Sequence, residues 1–442
     1  MGAAPGRHAH GRAVVSGEPM SMRDRLERLR GLGVRPGAEV FSAASPDAPA
    51  PPRPIRRRHD IAEVVVGRDI ETPHGACFVA ETRYAEHGGL PVGAPLPLAA
   101  LLPRLLRDDA LGRVDLRRAV FLDVETTGLS GGTGTFAFLV GIGTFEGDAF
   151  RVRQFFMRDP GAEPALLHAL SDAVAGYEAV VTFNGRSFDM PLLTTRFRLQ
   201  RRRAPLADAP HLDLLLPARR LWRARLGSCA LGSLERGILG VERVDDVPGM
   251  IIPYLYFDYV RTGRVERLER VFYHNALDIV TMAALLARMS AILDDPDGCG
   301  VCHGADWLSL AIVYEAVGDE ALAGQAYQRA MATALPPELH EQAKERYGAL
   351  CKRQGAWDEA VAGWAAAVEA GTTRRLYPYL ELAKFYEHRR RDYGAAMDVV
   401  RRAIGLVETT GLRDGSLSQA ATLADLRHRL ARLERKSGSH SA

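Results

Sequence analysis

Two kinds of hydrophobic pattern alternate along the chain from residue 118 onward. Short runs of apolar, β-branched and aromatic residues are typical of buried strands, and apolar residues at helical spacing are typical of amphipathic helices. Strands are predicted at 118–125, 136–145, 150–157, 178–183 and 211–214, and helices at 164–176, 187–203 and about 265–291. Three strands in a meander, followed by alternating helices and strands, predict a mixed α/β sheet flanked by helices.

A different pattern begins near residue 305, where the sequence becomes rich in alanine and repeats itself. Trp307, Tyr314 and Tyr327 stand at spacings typical of a tetratricopeptide unit. Residues 347–367 repeat this pattern, and residues 382–403 give a looser third copy. Three units are about the minimum that buries a shared core. Residues 305–435 are therefore predicted to form an all-α domain of tetratricopeptide-like repeats.

The chain before residue 118 divides into two predicted segments. Residues 1–59 have the composition of a disordered, basic N-terminal segment with a proline-rich linker, and the true start codon is open. Residues 60–117 carry two short predicted strands, at 63–67 and 76–81, and we interpret them as a small accessory β region. The main α/β domain is then predicted to span residues 118–293.

The composition is that of an ordinary globular protein, with 47% apolar residues, 25% charged residues and a net charge of +3. No run approaches the roughly 18 apolar residues of a membrane span, and residues 1–20 lack the apolar core of a signal peptide. We therefore expect a cytoplasmic protein with no membrane partner, and we expect its five cysteines to be reduced.

Two local clusters leave more than one interpretation open. Between residues 196 and 225 there are nine arginines and two aspartates, a local balance of +7. Such a balance suits either a solvated helix face or a surface that follows phosphates.

Cys299, Cys302 and His303 match a haem-attachment pattern but fall one ligand short of a structural zinc site. We interpret them mainly as part of an interdomain loop.

The strand at 118–125 carries the first candidate chemistry, because it contains two acidic residues, Asp123 and Glu125. The two-residue period of a strand points both side chains to the same face. Two carboxylates in an apolar strand are costly to bury unless a cation lies between them. The glycine-rich stretch 128–134 that follows suits a tight turn or a backbone that approaches a ligand closely.

Later segments supply further groups for a metal site. Asp189 stands at the predicted start of a helix, where an aspartate taken alone is more often a helix cap. His274 and Asp278 lie four residues apart, on one face of the last helix. Four acids with one histidine suit a two-metal hydrolase, and hard oxygen ligands favour Mg²⁺ or Mn²⁺. His274 would then be the general base that takes a proton from water.

The segments DVETTG, NGRSFD and HNALD resemble, in order and distance, the three exonuclease motifs of the DEDD (DnaQ-like) superfamily. The segments FLDVETTGLSGGTGTFAFLVGIG, HLDLLLPARRLW, LGSLERGILGV and DDVPGMIIPYLYFDYVRTG are similar to its YprB-like branch. That branch joins a ribonuclease-H-like nuclease domain to tetratricopeptide repeats. The resemblance covers about residues 60–290 in detail and 305–406 in kind, and it implies a ribonuclease-H-like fold.

The resemblance also implies roles for individual residues. The implied metal ligands are Asp123, Glu125, Asp189 and Asp278. The residues expected around the 3′-terminal nucleotide and its base are Thr126, Thr127, Gly128, Asn184 and Phe188. The sequence departs from the superfamily at its histidine, which stands four rather than five residues before the last aspartate. Because four residues turn a helix by ~400°, His274 shares a face with Asp278, and Tyr273 is the less favoured alternative base.

Together these features predict a metal-dependent 3′→5′ exonuclease that hydrolyses phosphodiesters of single-stranded nucleic acid with two Mg²⁺ or Mn²⁺ ions. An alternative from another class is a catalytically idle nuclease fold whose repeats bind a protein partner. An endonuclease acting on structured substrates is a third alternative. The sequence leaves the choice between DNA and RNA open, because no residue indicates a contact with the 2′-hydroxyl.

Overall fold

The computed structural model describes residues 60–93, 98–128, 133–371, 373, 375–412 and 417–440. The predictions for residues 1–59, including the proline-rich linker, lie outside the described residues. Part of the glycine-rich stretch after the first candidate strand, residues 129–132, lies outside them as well.

In the described part of the chain, the strands form one seven-stranded sheet and one short hairpin. They are β1 (Gly67–Thr72), β2 (Gly75–Tyr84), β3 (Glu86–His87), β4 (Leu90–Pro91), β5 (Ala119–Thr126), β6 (Ala137–Glu146), β7 (Ala149–Phe156), β8 (Ala179–Thr182) and β9 (His211–Asp213). The order across the large sheet is β1-β2-β7-β6-β5-β8-β9. Neighbours from β1 to β5 are antiparallel, whereas β5, β8 and β9 are parallel. The mixed sheet confirms the predicted fold class.

Helices flank this sheet and then continue without strands. Those of the sheet domain are α1 (Leu101–Leu106), α2 (Glu163–Val174), α3 (Asp189–Leu199), α4 (Leu215–Leu226), α5 (Leu231–Leu234), α6 (Ile252–Thr262) and α7 (Leu268–Asp294). Those of the C-terminal region are α8 (Gly304–Ala316), α9 (Glu320–Ala332), α10 (Pro337–Gln354), α11 (Trp357–Ala370), α12 (Tyr377–Phe385), α13 (Tyr393–Thr410) and α14 (Gln419–His440). The all-α C-terminal region is therefore present as predicted.

The strands predicted from residue 118 onward all occur, and each bound lies within one residue of its prediction. The strand predicted at 63–67 is wrong. Asp60 caps a short 3₁₀ helix at Ile61–Glu63, and Val66 beyond it is 91% exposed, so this apolar run stays outside the sheet. Strands β1 and β2 join the large sheet through the pairing of β2 with β7. The region that we interpreted as a small accessory β region thus contributes two strands to the large sheet.

Alternating side chains of β5 enter two different hydrophobic cores. Phe121 belongs to a core that also contains residues of α4, α7 and the first C-terminal helices. Val120 and Leu122 belong to a second core, which contains residues of α2, α3 and α6. Asp123 and Glu125 share the face of Phe121, because side chains two residues apart point the same way. They therefore lie on the face that α7 covers.

Two glycines on β6 allow helix α7 to pack directly on the sheet. A Cβ atom at Gly141 would lie 2.2 Å from Asn275 Oδ1 and 2.3 Å from Ile279 Cδ1. A Cβ atom at Gly143 would lie 2.5 Å from Ile279 Cγ2. A side chain at either position would force side chains of α7 to shift, so the two glycines permit the close approach of α7 to the sheet.

The C-terminal helices pack consecutively, each against the next. A Cβ atom at Gly348 on α10 would lie 2.6 Å from the indole nitrogen of Trp364 on α11, so this glycine permits a close helix contact. Trp307 and Tyr314 of α8 share a hydrophobic core with Trp222 of α4. The packing suits an array of paired helices, and its tetratricopeptide identity stays a prediction.

Helix α7 corrects the expectation that no segment approaches the length of a membrane span. It has 27 residues, and its most apolar window has a mean hydropathy of 1.8. Of that window 72% is buried inside the protein, as in the core helix of a soluble protein. The helix therefore gives no indication of a membrane.

Candidate active site

The candidate residues meet at the edge of the sheet where its parallel strands end. Strands β5, β8 and β9 run in the same direction, so their carboxyl ends lie along one edge. Asp123 and Glu125 stand at the end of β5, residues 184–188 follow β8, and Asp213 ends β9. The topology thus brings together segments that are far apart in the sequence.

Asp123 is held in place by a buried amide from helix α7. Asn275 Nδ2 donates to Asp123 Oδ2 at 2.8 Å, and Asn275 Oδ1 accepts from Gln154 Nε2 at 2.9 Å. The Gln154 amide also donates to the carbonyl oxygen of Phe272 at 2.7 Å. Neither Asn275 nor Gln154 was predicted from the sequence. The position of Asn275 inside HNALD, next to His274, was the available signal.

The four predicted metal ligands are close enough to affect one another's ionisation. Burial, followed by the charge of Asp278, raises the pKa of Asp123 well above its usual range. The same two causes raise the pKa of Glu125 to about 8. Burial is also the main reason why the pKa of Asp189 is raised to about 7 and that of Asp278 is raised. A positive charge among these groups would therefore stabilise their ionised forms.

The chemistry of this set fits a hard divalent cation. All four groups are carboxylates, and a cation between them would relieve both the desolvation and the mutual repulsion that raise their pKa values. In the positions that the structure gives, no three His, Cys, Asp or Glu side chains of the described residues stand close enough together to hold an ion. The donors fit such an ion in kind, and the side chains would have to converge to bind it.

Asp189 is the first residue of helix α3, and the N-cap position before it is held by Phe188, which makes no side-chain cap. The loop before it is shaped by Asp213, which accepts from the backbone N–H groups of Asn184 at 2.8 Å and Arg186 at 3.1 Å. Asn184 has a left-handed backbone with φ of 66°, and Phe188 is 59% exposed at the helix start. The exposed ring is free to meet a ligand, and its role there stays a prediction.

The backbone at the start of the glycine-rich stretch is held by hydrogen bonds of Thr126, Thr127 and Gly128. The backbone N–H of Thr127 donates to Phe136 O at 3.0 Å, and its hydroxyl accepts from Phe136 N at 2.9 Å. The hydroxyl of Thr126 donates to Gly128 O at 2.8 Å. Both threonines thus fix the backbone beside the acids. Their predicted contact with a terminal nucleotide stays a prediction.

Arg243 supplies positive charge that the sequence analysis missed. Its guanidinium donates to both oxygens of Glu235, at 2.6 and 2.9 Å, and to Asp278 Oδ1 at 2.5 Å. It also donates to Asp246 Oδ2 at 3.1 Å. The side chains of Arg243 and Glu235 are 11% and 2% exposed, so this is a buried ion cluster beside the acids. Only the segment DDVPG next to Arg243 hinted at it in the sequence.

His274 faces the acid cluster, as its spacing from Asp278 predicted. Its Nε2 atom lies 3.6 Å from Asp278 Oδ2, and its Nδ1 atom lies 2.8 Å from Asp246 Oδ1. Tyr273 is 40% exposed. Its hydroxyl lies near Tyr84, whose pKa is raised first by the burial of Tyr84 and then by Tyr273. This geometry favours His274 over Tyr273 as the candidate base.

Five of the nine arginines in the arginine-rich segment make side-chain contacts with other residues of the described chain. The buried Arg196 pairs with Glu163, with Nε 2.5 Å from Oε1. Others make contacts with a side chain or a carbonyl: Arg202 with Ser171, Arg203 with Asp208, Arg220 with Leu105 and Arg225 with Asp306. These contacts leave fewer arginines than the sequence suggested for a surface that follows phosphates. Cys299 is half-buried and Cys302 is exposed, both as free thiols in the loop between α7 and α8.

Comparison with known proteins defines the class first. A family model of the RNase H superfamily, RNase_H_2, matches residues 120–290, which span β5 through most of α7. This part of the chain is therefore an RNase H-like domain, and its class supports a nuclease-type function that acts on nucleic acid. RNase H-like nucleases generally use divalent metal ions.

A relative then gives the particular family. The chain is 32% identical over 326 residues to the uncharacterized protein YprB of Bacillus subtilis (strain 168), covering 72% of this chain and 75% of that protein. The chain belongs to the YprB-like family of RNase H-like proteins. A solved structure, the family B DNA polymerase of Pyrobaculum calidifontis, matches with 13% identity and a TM-score of 0.32. The matched region covers 60% of this chain and 35% of the polymerase, and a similarity this low carries no argument.

Proposed function

We propose that this protein is a metal-dependent 3′→5′ exonuclease that removes nucleotides from single-stranded nucleic acid by a two-metal mechanism. The observation that supports the proposal is that four carboxylates, from β5, α3 and α7, lie near one edge of an RNase H-like sheet. Burial and their mutual repulsion raise their pKa values, and a bound cation would relieve both. A catalytically idle fold would have no need for this unfavourable cluster.

The roles follow from position. Asp123, Glu125, Asp189 and Asp278 would hold two Mg²⁺ or Mn²⁺ ions. When bound, these ions supply activation of water and stabilisation of charge on the phosphate. His274 Nε2, which faces Asp278, would accept the proton of the attacking water. Phe188 offers an exposed ring on which a terminal base could stack.

The direct test is a digestion of oligonucleotides by the purified full-length protein and its Asp123→Asn variant with Mn²⁺ or Mg²⁺. A 5′-labelled single strand should give a descending ladder, which is the product pattern of attack from the 3′ end. Asp123→Asn should give no ladder, whereas Asp208→Asn, at an exposed ion pair with Arg203, should match the wild type. Equal degradation by Asp123→Asn would sink the proposal.

The same assay separates the alternatives. Parallel DNA and RNA strands identify the sugar that the enzyme accepts. A circular single strand that is cut would indicate an endonuclease. Absence of any metal-dependent cleavage would favour the scaffold, in which the helical repeats bind a protein partner.

A further inference from the structure

Asp246, in the segment DDVPG between α5 and α6, contacts the candidate base His274. Both carboxylate oxygens of Asp246 lie close to His274 Nδ1, at 2.8 and 2.9 Å, although the two residues are 28 positions apart in the chain. The side chains are mostly buried, with exposures of 17% and 15%. The opposite ring nitrogen, Nε2, faces Asp278. His274 therefore lies between two carboxylates, one on each nitrogen.

This arrangement selects one neutral form of the imidazole. A carboxylate can only accept a hydrogen bond, so Asp246 requires a proton on Nδ1. In the other tautomer, the lone pair of Nδ1 would face two carboxylate oxygens at hydrogen-bond distance, which is repulsive. The guanidinium of Arg243 stands 3.5 Å from Nδ1 and is directed to Asp246 at a shorter distance, so it competes weakly for that nitrogen.

Asp246 is itself fixed from both sides. It accepts from the backbone N–H of Val247 at 2.8 Å and from Arg243 at 3.1 Å. Arg243 is anchored by Glu235, whose Oε1 accepts from the hydroxyl of Thr281 at 2.5 Å. Thr281 lies on helix α7, two turns beyond His274. The chain of contacts thus returns to the helix that carries the histidine.

We infer that Asp246 is a positioning residue for the proposed nuclease reaction, fixing the proton of His274 on Nδ1 and its lone pair on Nε2. The inference rests on the proposed function for its catalytic meaning, whereas the tautomer is a property of the protein alone. In the neutral imidazole, the lone pair of Nε2 then faces the acid cluster. Asp246 touches neither the cluster nor, by this assignment, the substrate. It acts through the histidine.

The variant Asp246→Asn tests this without removing the side chain. Arg243 keeps its bonds to Glu235 and Asp278, so the fold should survive. The new amide can donate to Nδ1 and would favour the tautomer protonated on Nε2, as in a serine protease whose orienting aspartate is changed to asparagine. Asp245→Asn is the matched control, because Asp245 is exposed and asparagine tolerates its φ of 58°.

The first measurement is the ¹⁵N NMR shifts of the His274 ring in protein labelled at histidine, at a pH where imidazole is neutral. The signal is assigned by its loss in His274→Ala. The wild type and Asp245→Asn should show the proton on Nδ1, and Asp246→Asn should show it on Nε2. A wild-type proton on Nε2, or a tautomer unchanged by Asp246→Asn, overturns the inference.

The second measurement is a double-mutant cycle on single-strand digestion. Asp246→Asn should lower kcat by about 10- to 100-fold with KM unchanged, within the range seen when residues that orient metal-site histidines are lost. The same change should have no further effect in a His274→Ala background, because the residue through which it acts is gone. An equal loss in both backgrounds would contradict the inference. If the wild type digests nothing, the proposed function fails, and the NMR result still decides on the pair.

Discussion

Replacing Gly141 with alanine should separate helix α7 from the sheet and so damage both stability and the site. The new Cβ would lie 2.2 Å from Asn275 Oδ1 and 2.3 Å from Ile279 Cδ1, whereas ordinary contacts begin near 3.4 Å. The helix or its side chains must therefore move by more than 1 Å at two points. One of the displaced groups is the amide that holds Asp123 and accepts from Gln154.

The size of the effect follows from two contributions. Overpacking a rigid core costs typically 1–3 kcal/mol, and two simultaneous clashes argue for the upper end, about 3 kcal/mol. Turning the Asn275 amide away would also weaken two buried hydrogen bonds, at about 1 kcal/mol each. We expect Gly141→Ala to lower the free energy of unfolding by about 3–5 kcal/mol in total. Because the same helix carries Asp278, we also expect nuclease activity to fall.

Thermal and chemical unfolding of the full chain measures this, with Gly405→Ala as the matched control. Gly405 lies inside helix α13, where an added Cβ meets nothing within 4 Å. There the same substitution should stabilise the protein by about 0.5–1 kcal/mol, because alanine favours the helix. The double variant Gly141→Ala/Asn275→Ala should lose less than the sum of its parts, because removing the Asn275 amide relieves one clash.

Two results would refute this reasoning. If Gly141→Ala were as stable as the wild type, the helix would not be in contact with β6 as described. If the double variant lost the full sum of the single losses, the Asn275 clash would not be the source of the cost.

Three further predictions concern charge. Burial, then nearby Arg186, lowers the pKa of His211 to about 4. Stability should therefore fall as pH drops from about 6.5 to 4, because the unfolded chain takes up a proton there and the folded protein does not. His211→Gln should flatten this decline, measured by denaturant titration. Arg196→Met leaves the carboxylate of Glu163 buried without its main partner. It should lower the free energy of unfolding by about 3–5 kcal/mol in the same measurement, and a change near zero would exclude a buried charge pair. Burial and neighbouring carboxylates raise the pKa of Asp123, so Asp123→Asn should raise the melting temperature of the metal-free protein. The variant should also lose the rise in melting temperature that Mn²⁺ gives the wild type. An unchanged response to Mn²⁺ would contradict a role of Asp123 in metal binding.

The sequence predicted those features that depend on local pattern. The strands from β5 onward have short apolar runs with clear ends, so their bounds were predicted to within one residue. The grouping of Asp123 with Asp278 was an expectation from the order of the motifs and from the resemblance that they carry. The two-residue alternation on β5 correctly assigned both of its acids to one face.

Features that depend on contacts between distant segments escaped prediction. Arg243 and Asp246 lie in a loop without hydrophobic periodicity, and nothing local indicates that it folds back onto α7. Strand β2 joins the large sheet through β7, a pairing across more than 60 residues that only the assembled core selects. The valine run at 64–66 has strand composition, but the capped turn before it takes precedence. In each case tertiary packing decided between locally acceptable alternatives.

Helix α7 has a mechanical consequence. Its first half carries His274 and Asp278, and its far end is tied to the C-terminal helices, where Tyr314 donates to Leu293 O at 3.5 Å and residues of both regions share a core. The helix is therefore a rod of 27 residues, about 40 Å long, with the proposed chemistry in its first half and the C-terminal helices packed against its other end. A displacement of the C-terminal helices would be transmitted along this rod to the two side chains. Cutting the chain after α7 would leave the far end of the rod bare to water.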